Sequence, residues 1–288
     1  MEKIIEQMKA YLQSKKYQIR TIEGYVRVSR LFMKWVEKEG LTLGGLTYPQ
    51  GMKWVGWRQG KGVSSRTINQ EILAINHLYQ SQEKVSPLAE LRLRGVRHQA
   101  VYYQIEYTDL ENLYRQFNES GLPGKRNKVI LGMVIYQGLS RMELENIRME
   151  DLDMENALIR VRETAKINSR IMTLEAVQIL DLVNYIYEVR PQLAIKETEY
   201  LFLSKYNGGK LANTISYLWK VLHKHYRVKL TTRVIRQSLI NHWLKSKDLR
   251  MVQYLAGHKY VSSTFRYGQR SLEELQEELE IIHPLSKL

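Results

Sequence analysis

The chain has 288 residues, more than one typical core needs, and its 44 lysines and arginines against 30 aspartates and glutamates give a formal charge of +14. That excess favours a polyanionic partner and is shared: residues 1–98 hold 17 basic and 8 acidic side chains, residues 99–270 hold 26 and 17, and residues 271–288 hold 1 and 5. There is no cysteine, which excludes disulfides and thiolate metal sites, and no apolar run approaches the roughly 20 residues of a membrane span.

The N-terminus is Glu-Lys-rich and amphipathic, unlike a signal peptide, so a soluble, cytoplasmic chain is expected. Residues 2–15 place Ile4, Ile5, Met8, Tyr11 and Leu12 on one helical stripe. Residues 21–38 repeat the pattern with Ile22, Tyr25, Leu31, Phe32, Trp35 and Val36, with Thr21 as cap and Gly40 as stop. A third helix is expected to open near Pro49, with Trp54 and Trp57 in the core. Ser64 and Ser65 precede a fourth that faces Ile68, Ile72, Ile75, Leu78 and Tyr79 inward. These four helices define an all-helical domain over residues 1–89. The turn holding Arg58, Lys61 and Arg66 sets charges and hydroxyls beside a helix N-terminus, a natural phosphate contact.

Residues 90–106 read as a linker, extended from Gln99 to Tyr107, whose Arg94 and Arg97 are expected against the backbone of the polyanion. A second domain, residues 107–270, starts with a Tyr107-Thr108-Asp109 cap and a helix carrying Leu110, Leu113, Tyr114 and Phe117. Lys128 to Leu144 reads as an apolar helix running into Gly138-Leu-Ser-Arg-Met-Glu-Leu144. Residues 158–174 alternate around a polar centre and predict a β-hairpin with Lys166 near its turn, followed by Arg170 as a contact to the polyanion or within the structure. Helices are expected over residues 175–190 and 213–226, separated by a strand at Tyr200–Leu203 and an Asn207-Gly-Gly turn. His223-Lys-His225 is the one close histidine pair and reads as a basic helix end rather than a metal site. The tail, residues 271–288, carries a Ser271/Glu274 capping box and apolar residues at 272, 275, 279 and 282, a stripe that needs a docking groove.

The most informative stretch is Thr231 to Tyr267. Arg233 and Arg236 stand three apart on one helix face, so their planar forks can converge on one oxyanion. A second apolar run ends in Leu255-Ala-Gly-His258, and Ser262-Ser-Thr-Phe-Arg-Tyr267 follows. In this order and spacing the stretch resembles the C-terminal signature of the tyrosine recombinase (phage integrase) family, in which Arg-His-Thr-Phe is followed by Leu-Leu-Gly-His, a Ser/Thr-rich segment and a nucleophilic tyrosine.

The resemblance implies a mainly α chain. Its N-terminal part would be a SAM-like, DNA-gripping core-binding domain, and its C-terminal part a mostly helical catalytic domain with a small antiparallel sheet. It further implies a site-specific recombinase that cuts and rejoins double-stranded DNA at a specific site, through a 3′-phosphotyrosyl bond and a Holliday junction, without cofactor, metal or small-molecule substrate. Tyr267 would be the nucleophile, with Arg141, Arg233 and Arg236 on the phosphate oxygens, His258 beside them and Lys166 as general acid. The tail would pass to a neighbouring protomer in a DNA-bound homotetramer, working at the nucleoid. Two positions depart from the family pattern. Arg233 replaces the histidine of HxxR, and Ser140 occupies the arginine column of Gly-Leu-Arg-x-x-Glu-Leu, leaving Arg141 one place late, about 100° round a helix. The second departure motivates a rival reading as a non-catalytic DNA-binding derivative. A further rival is a telomere resolvase or type IB topoisomerase using the same phosphotyrosine chemistry.

Overall fold

A computed structural model describes residues 1–95, 104–164, 167–204, 211–225 and 230–267. The chain divides into two compact units, Met1–Ala100 and Val101–Leu288.

In the first unit, α1 (Glu2–Ser14), α2 (Ile19–Lys38), α3 (Tyr48–Gly60) and α4 (Ser65–Gln80) enclose one core. Helix α3 opens on a capping box between Thr47 and Gln50 with Pro49 in its first turn, and the Ser64 hydroxyl caps α4 by accepting from the Thr67 N–H. Trp54 is fully buried and takes Phe32 and Trp35 edge-on, with centroids 5.2 and 5.5 Å away. Two expectations for α2 are corrected. The helix starts at Ile19, before Thr21, whose N–H already bonds the Gln18 carbonyl. Leu31 is exposed because it lies about 100° round the helix from buried Phe32.

The segment after α4 belongs to this core. Leu88 is fully buried, Leu91 and Leu93 pack against the cluster, and the Asn69 amide clamps the Leu93 backbone in both directions at 2.9 Å. Gly51 leaves the room for Leu88, since a Cβ there would lie 2.7 Å from its Cδ2. The start of the expected linker is thus strapped to α4, and Arg97 lies outside the described residues.

The second unit is built around α6 (Gly121–Ile135), whose residues Val129 to Ile135 are all buried. A helix apolar on every side must be enclosed. It is covered by α5 (Tyr107–Gln116), α8 (Ala176–Asn184) and α11 (Thr232–Ser246), among others. Helix α5 starts after Glu106, so Asp109 sits within the first turn, where its charge suits the helix dipole, rather than at the cap. The single helix expected from Lys128 to Leu144 is broken. Gly138 takes φ +61°, and a Cβ on it would lie 3.1 Å from Leu239. A separate short helix, α7 (Arg141–Asn146), then starts on a reciprocal box between Ser140 and Glu143.

The hairpin of β2 (Leu158–Val161) and β3 (Arg170–Thr173) pairs antiparallel, with Val161 opposite Arg170, and a two-residue β1 (Leu152–Asp153) extends it to three strands. Tyr200–Leu203 is not a strand. Tyr200 makes one isolated bridge to Arg148 while Leu201, Phe202 and Leu203 insert into the core. The helix expected over 175–190 widens into a π turn at Tyr185–Val189 ahead of α9 (Arg190–Leu193), where Pro191 has no N–H to continue the ladder. Helix α10 (Leu211–His225), α11, α12 (Leu249–Ala256) and helical residues 261–267 complete the unit. The Asn207 turn and the tail helix lie outside the described residues. The described residues are mainly helical, with one small antiparallel sheet.

Candidate active site

Helix α11 supplies the first site residue. Thr231 caps it by accepting from the Val234 N–H at 3.2 Å, which sets Arg233 in the first turn, exposed, and Arg236 one turn on, largely enclosed. The Arg236 fork is pinned at both ends: Nη1 donates to the Gly138 carbonyl and Nη2 to the Ala256 carbonyl. One guanidinium therefore ties the turn before α7 to the end of α12. Two of its five N–H groups are spent on carbonyls and Nη1 also faces the Glu143 carboxylate, which leaves the Nε and Nη2 side of the fork for an oxyanion.

Helix α12 supplies the second. Asp248 caps it, and Gly257, at φ +66°, ends it in the left-handed region that favours glycine. The next residue, His258, is held through its backbone: its N–H reaches the Gln253 carbonyl at 3.0 Å, Gln253 Nε2 returns to its carbonyl at 3.0 Å, and Ile167 pairs with it across a β-bridge. Its Nδ1 lies 2.8 Å from the hydroxyl of fully buried Thr264. With Nδ1 occupied, Nε2 is the nitrogen left for chemistry. The Tyr267 ring lies parallel to the imidazole, 10° between planes and 5.9 Å between centroids.

Behind these stands an ionic cluster that sequence reasoning missed. Glu143 Oε1 meets Arg170 Nη1 at 2.5 Å with both side chains fully enclosed, while Oε2 accepts from the Ser140 N–H at 2.7 Å and lies 3.5 Å from Arg236 Nη1. Burial alone would raise the Glu143 carboxyl, but Arg170, Arg236 and the Ser140 contacts hold it below the ordinary carboxylate value. Burial lowers the Arg236 guanidinium, and Glu143 opposes that shift. For His258, burial first, then Arg236 and Arg170, push the pKa down to about 4, so the imidazole is neutral near pH 7.

Among the expected site residues, then, Arg236, His258 and Tyr267 come together, and Arg233 sits one turn from Arg236. Arg141 does not join them. Its Nε pairs with Glu145 at 3.2 Å, and it stands two residues from Glu143, about 200° round α7, which turns it away from the buried cluster. Lys166 lies outside the described residues, though its chain neighbour Ile167 is the partner of His258. Arg170, expected as a DNA or structural contact, is fully enclosed and has no surface to offer DNA. Arg58 is likewise turned inward: its fork bonds Glu71 at 2.7 and 2.5 Å and lies over Trp54 and Trp57, because the charge of buried Glu71 needs a partner. Lys61, Arg66 and Arg94 are exposed, and Arg66 and Arg94 line one open groove with Asn69, Gln70 and Arg92.

Comparison with known proteins agrees with this geometry. Residues 104–274 match the Phage integrase family, and residues 5–84 match the Phage integrase N-terminal SAM-like domain. Tyrosine recombinase XerC of Oceanobacillus iheyensis is 26% identical over 302 aligned positions, covering 99% of this chain and 97% of that protein. Tyrosine recombinase XerA of Pyrococcus furiosus is 23% identical over 290, covering 99% and 96%. Among solved structures, XerH site-specific recombinase bound to a palindromic difH substrate superposes with a TM-score of 0.69 at 17% identity, covering 95% of this chain and 83% of that one. The Tn1549 transposon integrase in complex with a circular intermediate DNA gives 0.66 at 15%, covering 94% and 99%.

Proposed function

The chain belongs to the phage integrase family of tyrosine recombinases, and from that premise we propose that it is a site-specific recombinase whose nucleophile is Tyr267. The observation that carries this reading is the convergence of Tyr267, His258 and Arg236, from three separate segments, over one enclosed positive cluster.

The chemistry follows from the groups present. Attack by Tyr267 Oη on the scissile phosphorus forms a phosphotyrosyl bond at the 3′ end and breaks the bond to the 5′ oxygen, so the energy of the phosphodiester is kept for rejoining. The transition state gathers charge on the non-bridging oxygens, where preorganised donors count most. Arg236 supplies them from a fork already locked by two carbonyls, and Arg233 adds charge from the preceding turn. His258 faces the phosphate through Nε2. A docked phosphodiester offsets the two arginines and raises its pKa towards the range in which it exchanges protons usefully. Lys166, next in the chain to the residue paired with His258, is the proposed acid for the departing 5′ oxygen.

Double-stranded DNA is the substrate, with Lys61, Arg66 and Arg94 as phosphate contacts of the N-terminal unit. Under this reading the enzyme works at the nucleoid in the cytoplasm. Four copies assemble on two DNA sites, coupled by the C-terminal tail, with residues 1–89 and 107–270 as the DNA-gripping and catalytic domains. The test is strand exchange: a synthetic four-way junction carrying its site should be resolved into recombinant duplexes. Relaxation of supercoiled DNA or hairpin formation without junction resolution would favour the topoisomerase or resolvase alternative.

A further inference from the structure

Stabilising a phosphorane dianion takes more than one positive group, and this chain lacks an arginine at position 140, where the family motif carries one. Ser140 spends its side chain on the α7 cap, and Arg141 faces Glu145 on the outer side of that helix. The charge balance of the ionic cluster bears on what could make up for it. Glu143 carries one negative charge between Arg236 and Arg170, so the trio is net positive with Arg170 and neutral without it.

Resting on the reading of Tyr267 as nucleophile, we propose that Arg170 is a positioning residue for strand cleavage: it takes up the charge of Glu143 so that Arg236 presents its own charge to the scissile phosphate.

Two further observations support this. Among the described residues, Arg170 Nε and Nη2 are buried without a hydrogen-bond partner, a desolvation cost that a purely structural ion pair has no reason to carry. The backbone also yields space to this guanidinium: a Cβ at Gly257 would lie 2.5 Å from Arg170 Nη1, immediately before His258. The strand β3 thus delivers from one side the charge that position 140 does not deliver from the other.

The test is a rescue. Purified wild type, Arg170→Gln and Ser140→Arg/Arg170→Gln are incubated with a suicide duplex built from DNA flanking the gene, and covalent complex is timed at saturating DNA. The expected result is a loss of about 100-fold in Arg170→Gln with DNA affinity held within about threefold, and recovery of at least about tenfold in the double variant. Cleavage by Arg170→Gln within about threefold of wild type overturns the proposal, and so does a loss that Ser140→Arg leaves unchanged. Should Arg170→Gln fail to fold, Glu143→Gln/Arg170→Gln is measured instead: with no carboxylate left to offset Arg236, cleavage within about tenfold of wild type is expected, and a loss of about 100-fold overturns the proposal. A second measurement needs no cleavage: titration of inorganic phosphate followed at the His258 ring by NMR. Binding should weaken at least about tenfold in Arg170→Gln, and equal affinity refutes the role. If wild type forms no covalent complex, the reading of Tyr267 fails while this titration still decides Arg170.

Discussion

Replacing Glu143 by glutamine should be among the most damaging single changes available to the C-terminal unit. The carboxylate is fully enclosed and faces two guanidiniums, Arg170 with no side-chain exposure and Arg236 with 12%. Glutamine keeps the shape and an acceptor for the Ser140 N–H, so the α7 cap survives and the change isolates the charge. What remains is a pair of like charges buried without compensation, and breaking a buried pair in this way costs about 3–5 kcal/mol. That is a large share of the roughly 5–15 kcal/mol that holds a typical domain together. Denaturant-dependent hydrogen exchange of peptides from residues 104–267 reads this unit apart from the N-terminal one. Adding Arg170→Met should return part of the loss, because the excess charge goes with it, giving a coupling of about 0.5–3 kcal/mol in the double-mutant cycle. A cost under about 1 kcal/mol for Glu143→Gln, or simple additivity with Arg170→Met, would refute the ionic account of the cluster.

Other expectations follow from the same geometry. His258 has a folded-state pKa of about 4 against an ordinary value near 6.5, so between those pH values the unfolded chain binds a proton that the folded chain refuses. Stability present above pH 6.5 should therefore fall as pH drops towards 4, and His258→Asn should flatten that slope in pH-dependent melting. Gly257→Ala should destabilise by about 2 kcal/mol or more, since it strains φ at +66° and drives a Cβ to 2.6 Å from Ile167 Cγ2; an unchanged melting temperature would contradict this. In the N-terminal unit, Lys61→Ala and Arg66→Ala should each lower the salt slope of DNA binding by about one while leaving the melting temperature unchanged. Arg58→Ala should do the reverse, losing about 3 kcal/mol of stability through the abandoned Glu71 carboxylate.

The reach of sequence reasoning here follows the range of the interactions. Helices α11 and α12 were legible because their signals are local: Arg233 and Arg236 three apart on one helix face, and an apolar run that ends at Leu255-Ala-Gly-His258. The break between α6 and α7 was missed because apolar residues lie on both sides of it, yet Ser140-x-x-Glu143 is itself a capping-box pattern that marks a new helix start. The Glu143–Arg170 pair joins residues 27 apart whose meeting depends on how the hairpin packs against α7, which no spacing rule encodes. The same limit hid the inward turn of Arg58, since only the packed core reveals Glu71 as its partner. Side-chain direction at Arg141 was likewise a question of helix phase that only a known helix start could answer.

Strand cleavage by this chain requires a covalent bond at Tyr267, and trapping that bond is the most direct test. Wild type and Tyr267→Phe are incubated with nicked suicide duplexes tiling the DNA that flanks the gene, and the denatured products are digested and read by mass spectrometry. A nucleotide adduct is expected on the peptide containing Tyr267 in wild type alone. DNA bound tightly across these fragments with no adduct, or an adduct on another side chain, would contradict it and favour a DNA-binding protein that has kept the fold without the cut.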